Sequence, residues 1–378
     1  MGAWVGEERL SGAVLHVTEG GETVLEQAYG YAHLYDYGAG QYGGTDAIVR
    51  RSSPIPMTTD TRFDMASVTK VLATTTALMM LVEKGIVDLE APVSAYLPDF
   101  SEGPKGTITI RHLLTHRAGL RQWEPTYYHA ANADEAYAYV RDLPLAWAVG
   151  SGRHYSDLGF MLLGRIVETV SGQRLNDFVR TALYEPLGLR ATGFGPTDST
   201  AGPRAATSHG NPYEYRMVHD PDFGYEIEGD PHAWGGWRER TLVGEVNDGN
   251  AHHAFEGVAG HAGLFASAAD AGVLMQFILD RGAASGRRLL SEAVVDAFLT
   301  PAVPGQALGW QLPDYAPAGS FGHTGFTGTF VLASPSHDVT IVLLTNRQNL
   351  GVDSETQYTD LAPLQRAVTQ AILGERSP

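Results

Sequence analysis

Ser67-Val68-Thr69-Lys70 is the stretch from which the rest of this chain is read. Only three lysines stand against twenty-three arginines, so a lysine here asks for a reason. An amine can give up its proton when buried or suitably surrounded, whereas a guanidinium stays charged at any working pH. Residues 66 to 84 carry apolar side chains at helical spacing and end at Lys84-Gly85. That pattern predicts a long buried helix with Ser67 near its positive end. Positions three apart share a helix face, so the Ser67 hydroxyl and the Lys70 amine meet within hydrogen-bond reach, the pairing that activates a nucleophile.

Composition narrows the partners. The chain has 378 residues with a formal charge of -17, which leaves no basic stripe for a phosphate backbone and argues against nucleic acid and against an anionic membrane. Small molecules or neutral polymers remain. There is no cysteine, which removes disulfides, thiolate nucleophiles and Cys-ligated metal together. Met1 to Leu10 carry Glu7 and Glu8 with no apolar run, and no stretch reaches eighteen apolar residues. The expectation is a cytoplasmic protein, or an exported one whose leader has been trimmed.

Along the chain, Gly12 to Val17 and Glu22 to Tyr31 are β-rich runs around Glu19-Gly20-Gly21, which reads as a hairpin. Helices are expected at Ile110 to Leu114, near 132 to 141, at Leu158 to Val170, at Leu175 to Leu183, from 264 to 280 and near 361 to 373. Strands are expected at 328 to 333 and 338 to 345. Residues 193 to 257 are rich in Gly, Pro, Asp and aromatics without clear periodicity, which reads as a long surface excursion bordering a site. Trp234 and Trp237 either line that site or pack the excursion down. A sheet built from both chain ends, with helices inserted between them, is the simplest assembly. The corresponding division is an α/β sheet subdomain from 1–105 and 258–378, and a mainly helical one from 106–257.

Two further motifs can carry chemistry. Tyr155-Ser156-Asp157 precedes a helix, where a loop tyrosine near an ammonium can shuttle a serine proton to a leaving group. His323-Thr324-Gly325 leads into a strand. There a glycine lets substrate approach the strand edge, and the amide of Phe326 can join that of Ser67 as an oxyanion hole.

In this order, 88 residues apart and then a further 168, the three motifs resemble the serine penicillin-recognising enzymes. The branch they resemble is the class C β-lactamase-like one, with its DD-peptidases, D-amino-acid peptidases and family VIII esterases. Phe63-Asp64-Met65-Ala66, Leu113-Leu114-Thr115-His116-Arg117-Ala118-Gly119-Leu120 and Val342-Leu343-Leu344-Thr345-Asn346-Arg347 are similar to that branch too. The resemblance implies a β-lactamase/transpeptidase-like α+β fold, an antiparallel sheet flanked by helices with an all-helical subdomain and the site between. It implies Ser67 as the acylated nucleophile, Lys70 and Tyr155 as the proton-handling pair, and His323-Thr324-Gly325 as the substrate strand, with no cofactor and no metal.

Two departures matter. Asp157 stands where the branch often has Asn, and a carboxylate near Lys70 favours its ammonium form, which leaves the base open between Lys70 and Tyr155. His323 stands where the branch's familiar members carry lysine. An imidazole of ordinary pKa is mostly neutral at pH 7 and charged nearer pH 6. A substrate carboxylate is then held less firmly, which favours small esters or amides unless Arg347 supplies the charge. Gly244 to Ala251 and Gly257 to Phe265 look like a subgroup containing N-acetylmuramyl-L-alanine amidases. The expected function is therefore a serine hydrolase of a small ester or a cell-wall-derived peptide. A β-lactamase, a DD-carboxypeptidase and a non-turnover penicillin sensor are the alternatives. An α/β-hydrolase lacks support because no G-x-S-x-G occurs. A metal site at Asp248, His252, His253 and His261 lacks an H-E-x-x-H or any helix-face ligand spacing.

Overall fold

A computed structural model describes the chain except residues 39, 41, 43–47, 196–201, 226, 228, 285 and 375–378. β1 (Gly12–Glu19) turns at Gly20 and Gly21, both with positive φ, into β2 (Glu22–Tyr37). β3 (Ile48–Pro56) pairs with the far half of β2. Neither the length of β2 nor β3 itself stood out in the sequence. The last three strands of the sheet are β4 (Phe321–Thr324), β5 (Thr329–Ser334) and β6 (Val339–Thr345), and the order across the sheet is β4-β5-β6-β1-β2-β3 with antiparallel neighbours. The chain's two ends thus meet at the β1–β6 pair.

Alternation along the strands sends side chains to two cores. On β6, Val342 and Leu344 join the larger core, while Val339, Ile341 and Leu343 face the smaller one. This is why β6 reads as a nearly unbroken apolar run: both faces are covered. α1 (Ala66–Glu83), α2 (Asp157–Ser171) and α3 (Ala268–Leu279) supply the larger core, and α4 (Ala362–Leu373) covers the opposite face. α1 is apolar enough in length and composition to span a membrane, but 83% of it lies inside the fold. It is the central core helix, opening with a tight 3-10 turn and a wider π-type turn before regular α geometry from Thr76.

Two expectations are corrected. Residues 264 to 266 are not helical: Leu264–Ala266 is the middle strand of a small sheet between Phe63–Asp64 and Gly193–Phe194, and the helix begins only at Ala268, capped by Ser267. The segment 193 to 257 is not merely irregular surface either. It holds a helix at Pro212–His219, a strand pair formed by Ala206–His209 and Thr241–Val243, and a short helix at Gly249–His253. Trp234 and Trp237 pack there against each other and against Tyr127.

Candidate active site

The turn ahead of Ser67 is held from three sides. Ala66 has φ of 45°, a left-handed conformation that is costly for a residue with a Cβ. Its amide donates to Asp64 Oδ1 at 2.9 Å, the Met65 amide donates to Leu264 O at 2.8 Å, and Thr327 and Thr329 donate their hydroxyls to the carbonyls of Asp64 and Met65. Asp64 Oδ2 accepts the Asn247 amide at 2.6 Å. Burial nevertheless raises the Asp64 carboxyl to about 6. The strained turn at Ala66 sets the direction of Ser67, the second residue of α1.

Lys70 is fully buried, and its ammonium donates to Ser67 Oγ at 3.0 Å and to His261 O at 3.1 Å, with Asp157 Oδ1 2.7 Å away as its ion-pair partner. Burial alone would lower its pKa. The Asp157 carboxylate and then Tyr155 more than offset this, so the amine is held above its ordinary value. The carboxylate thus keeps the ammonium form in the resting site, as the Asp-for-Asn departure led us to expect. Tyr155 places its ring 5.0 Å from Lys70 Nζ, with Lys70 and Ser67 both close enough to its hydroxyl to favour the ionised form. Burial raises its phenol above the usual range, against the downward pull of Lys70.

His116 and Ser156 position Tyr155. The Ser156 amide donates to His116 Nδ1 at 3.0 Å, the His154 amide to His116 O at 2.8 Å, and the His116 and Tyr155 rings lie 4.5 Å apart. Burial, then the charge of Lys70, holds His116 well below its ordinary pKa, so it is a neutral prop. Sequence reading quoted His116 without giving it a role. Nor did it find the part played by His261, whose carbonyl receives Lys70 while its Nε2 lies 2.8 Å from Asp248 Oδ1. His252 and His253, weighed earlier for a metal, pack edge to face on each other at 4.6 Å.

On the sheet side, His323 and Thr324 end β4 and Gly325 follows it, beside this group. A Cβ at Gly325 would stand 2.6 Å from Met65 O and 3.4 Å from Ala66 Cβ, so only glycine lets the strand end come this close to the Ser67 turn. Among the described residues the Phe326 amide donates to no acceptor. His323 is 2% exposed, and burial followed by the charge of Lys70 lowers its pKa to about 3. The expectation that it gains charge near pH 6 is corrected: a buried imidazole beside an ammonium stays neutral. Arg347 differs as well. Its Nε and Nη2 donate to Phe326 O at 3.2 and 2.6 Å and its Nη1 to Thr359 O at 2.7 Å, so it clamps the turn instead of facing substrate.

Comparison with known proteins gives the family and the fold. The family model described as Beta-lactamase matches residues 3–364. The chain is 33% identical to N-acetylmuramyl-L-alanine amidase of Bacillus subtilis (strain 168) over 90% of this chain and 78% of that protein. It is also 33% identical to a putative D-alanyl-D-alanine carboxypeptidase of Salmonella agona (strain SL483), covering 88% and 78%. Among solved structures, EstCE1, described as a hydrolase with promiscuous acyltransferase activity, shares the fold with a TM-score of 0.68 at 23% identity over 97% of this chain and 95% of that one. The sheet joined at both chain ends, the Ser67–Lys70 pair at the head of its core helix and a match along nearly the whole length have one reading: this chain belongs to the beta-lactamase family.

Proposed function

We propose that this protein is a serine hydrolase that cleaves a cell-wall-derived peptide or a small ester through an acyl-enzyme on Ser67. The observation that carries the reading is Lys70 Nζ at 3.0 Å from Ser67 Oγ, held there by a hydrogen bond to the His261 carbonyl and by the Asp157 carboxylate 2.7 Å away. With the lysine kept as an ammonium, the proton acceptor is Tyr155. To accept a proton Tyr155 must ionise, which its burial opposes and the charge of Lys70 favours. Ser67 Oγ attacks the carbonyl carbon, its proton passes to the Tyr155 oxygen, and the oxyanion meets the amides of Ser67 and Phe326. Tyr155 then returns that proton to the departing oxygen or nitrogen. Water repeats the cycle on the acyl-enzyme and frees Ser67. The names of the curated relatives support a cell-wall substrate, and the shared fold of EstCE1 is compatible with an ester.

Purified protein should be assayed with muramyl-peptides, D-alanyl peptides, short p-nitrophenyl esters and nitrocefin. A fluorophosphonate should add to the peptide containing Ser67, and Ser67→Ala should abolish turnover. An adduct elsewhere, or near-wild-type rates in Ser67→Ala, would sink the proposal.

A further inference from the structure

We propose that Arg153 is the substrate-carboxylate receptor of this site, filling the role left open by the neutral His323 and by Arg347. The proposal rests on the reading of Ser67 as nucleophile and names the substrate class: esters or amides carrying a carboxylate beside the scissile bond.

The argument begins with where Arg153 points. From 153 to 156 each side chain has a different partner. His154 stacks on Trp147 at 3.7 Å, and Ser156 donates to Arg121 O at 2.7 Å. Tyr155 packs between His116 and Lys70, while Arg153, two residues earlier and exposed, reaches Gln306 Oε1 with Nε at 3.0 Å. Gln306 is fully buried and belongs to a loop that pairs through Gln311 with Gly322, the residue before His323. One nitrogen of the guanidinium is therefore anchored to the sheet side of the cleft. The group lies near enough for its charge to depress both His116 and His323 and to interact with Tyr155.

Its availability is the second observation. Among the described residues, neither Nη1 nor Nη2 of Arg153 makes a hydrogen bond and no carboxylate lies within ion-pair distance. This is in a chain with 43 acidic residues, where most arginines with a stated contact face a carboxylate. An arginine fixed at Nε with both terminal nitrogens open presents the planar fork that takes a carboxylate in two parallel hydrogen bonds. Arg347 offers no such fork, because its three nitrogens are already committed to Phe326 O and Thr359 O. A carboxylate at Arg153 would sit beside Tyr155, and the substrate carbonyl would lie between Ser67 and the Phe326 turn.

The test compares kcat/KM for matched pairs, one member charged and one neutral. On the acyl side the pair is mono-p-nitrophenyl succinate and its methyl ester. On the leaving-group side it is the butyryl thioester of thioglycolate and that of methyl thioglycolate, read by thiol release. Arg153→Gln should cut the charged-to-neutral ratio by roughly ten- to a hundredfold in at least one pair, and Arg153→Lys should restore part of it. In the wild-type enzyme, raising the salt should lower the same ratio, which tests the idea even if a variant folds poorly. Ratios within about twofold of wild type in both pairs, or a salt-independent wild-type ratio, would overturn the assignment. Turnover of the neutral members by Ser67→Ala would instead overturn the reading of the nucleophile, so the two failures stay distinct.

Discussion

Lys70 and Asp157 stand 2.7 Å apart across the cleft, one at the head of the core helix and the other at the first position of α2. The pair ties the sheet side of the site to its helical side and fixes the charge state of the amine beside Ser67.

Asp157 raises the pKa of both Lys70 and Tyr155, so Asp157→Asn should lower both. Whichever of the two accepts the serine proton, the acid limb of kcat/KM for a neutral ester should move to lower pH. Rate profiles from pH 5 to 10 decide it, and a limb that stays put or moves upward refutes the coupling. Removing one partner of a buried pair also leaves an unpaired charge. A loss of about 3 kcal/mol in denaturant titration is expected, at the low end of the usual range because the Asp157 side chain is 18% exposed.

His323, with its pKa near 3, stays neutral through the working range. Between pH 7.5 and 6 the ratio of rates on carboxylate-bearing and neutral esters should therefore be flat. A ratio that climbs severalfold toward pH 6 would mean that this imidazole gains a proton in the cleft.

Gly325→Ala should damage the site from the sheet side. The added methyl would meet Thr329 Oγ1 at 2.0 Å and Met65 O at 2.6 Å, displacing the hydroxyl that holds the Ser67 turn. Overpacking of this kind costs about 1–3 kcal/mol. A lower melting temperature together with slower acylation by a fluorophosphonate is the expected pair of results. A variant that acylates at the wild-type rate would show that this contact does not position the nucleophile.

What could be read from the sequence was local. Ser67 and Lys70 meet because of a helical repeat, and Ser156 caps α2, its hydroxyl accepting the Gly159 amide at 3.2 Å. The hairpin declared itself by β-rich runs around Gly20-Gly21, and the two closing strands by apolar runs on either side of Pro335. What could not be read depended on distant segments packing together. Nothing near His323 in the chain says that it is buried against Lys70, and nothing near Arg347 says that Phe326 and Thr359 will occupy its guanidinium. The open fork of Arg153 exists only because the loop at Gln306, about 150 residues away, folds onto β4. The strand at Leu264–Ala266 was hidden for a similar reason, since its short apolar run continues directly into the apolar α3.

The pairing of β1 with β6 sets a timetable for this enzyme's birth. β1 ends at Glu19 and its partner begins at Val339, so the first hairpin waits for almost the entire chain before its inner edge is covered. At about 5–20 residues per second, that wait on the ribosome is roughly fifteen to sixty seconds. Contacts so far apart in sequence make folding slow, and an open strand edge during the delay invites wrong partners. The same delay keeps a nascent hydrolase inert. Ser67 is made early, but the Gly325 turn that completes its surroundings arrives only with the closing strands, so no partly synthesised chain carries a finished site.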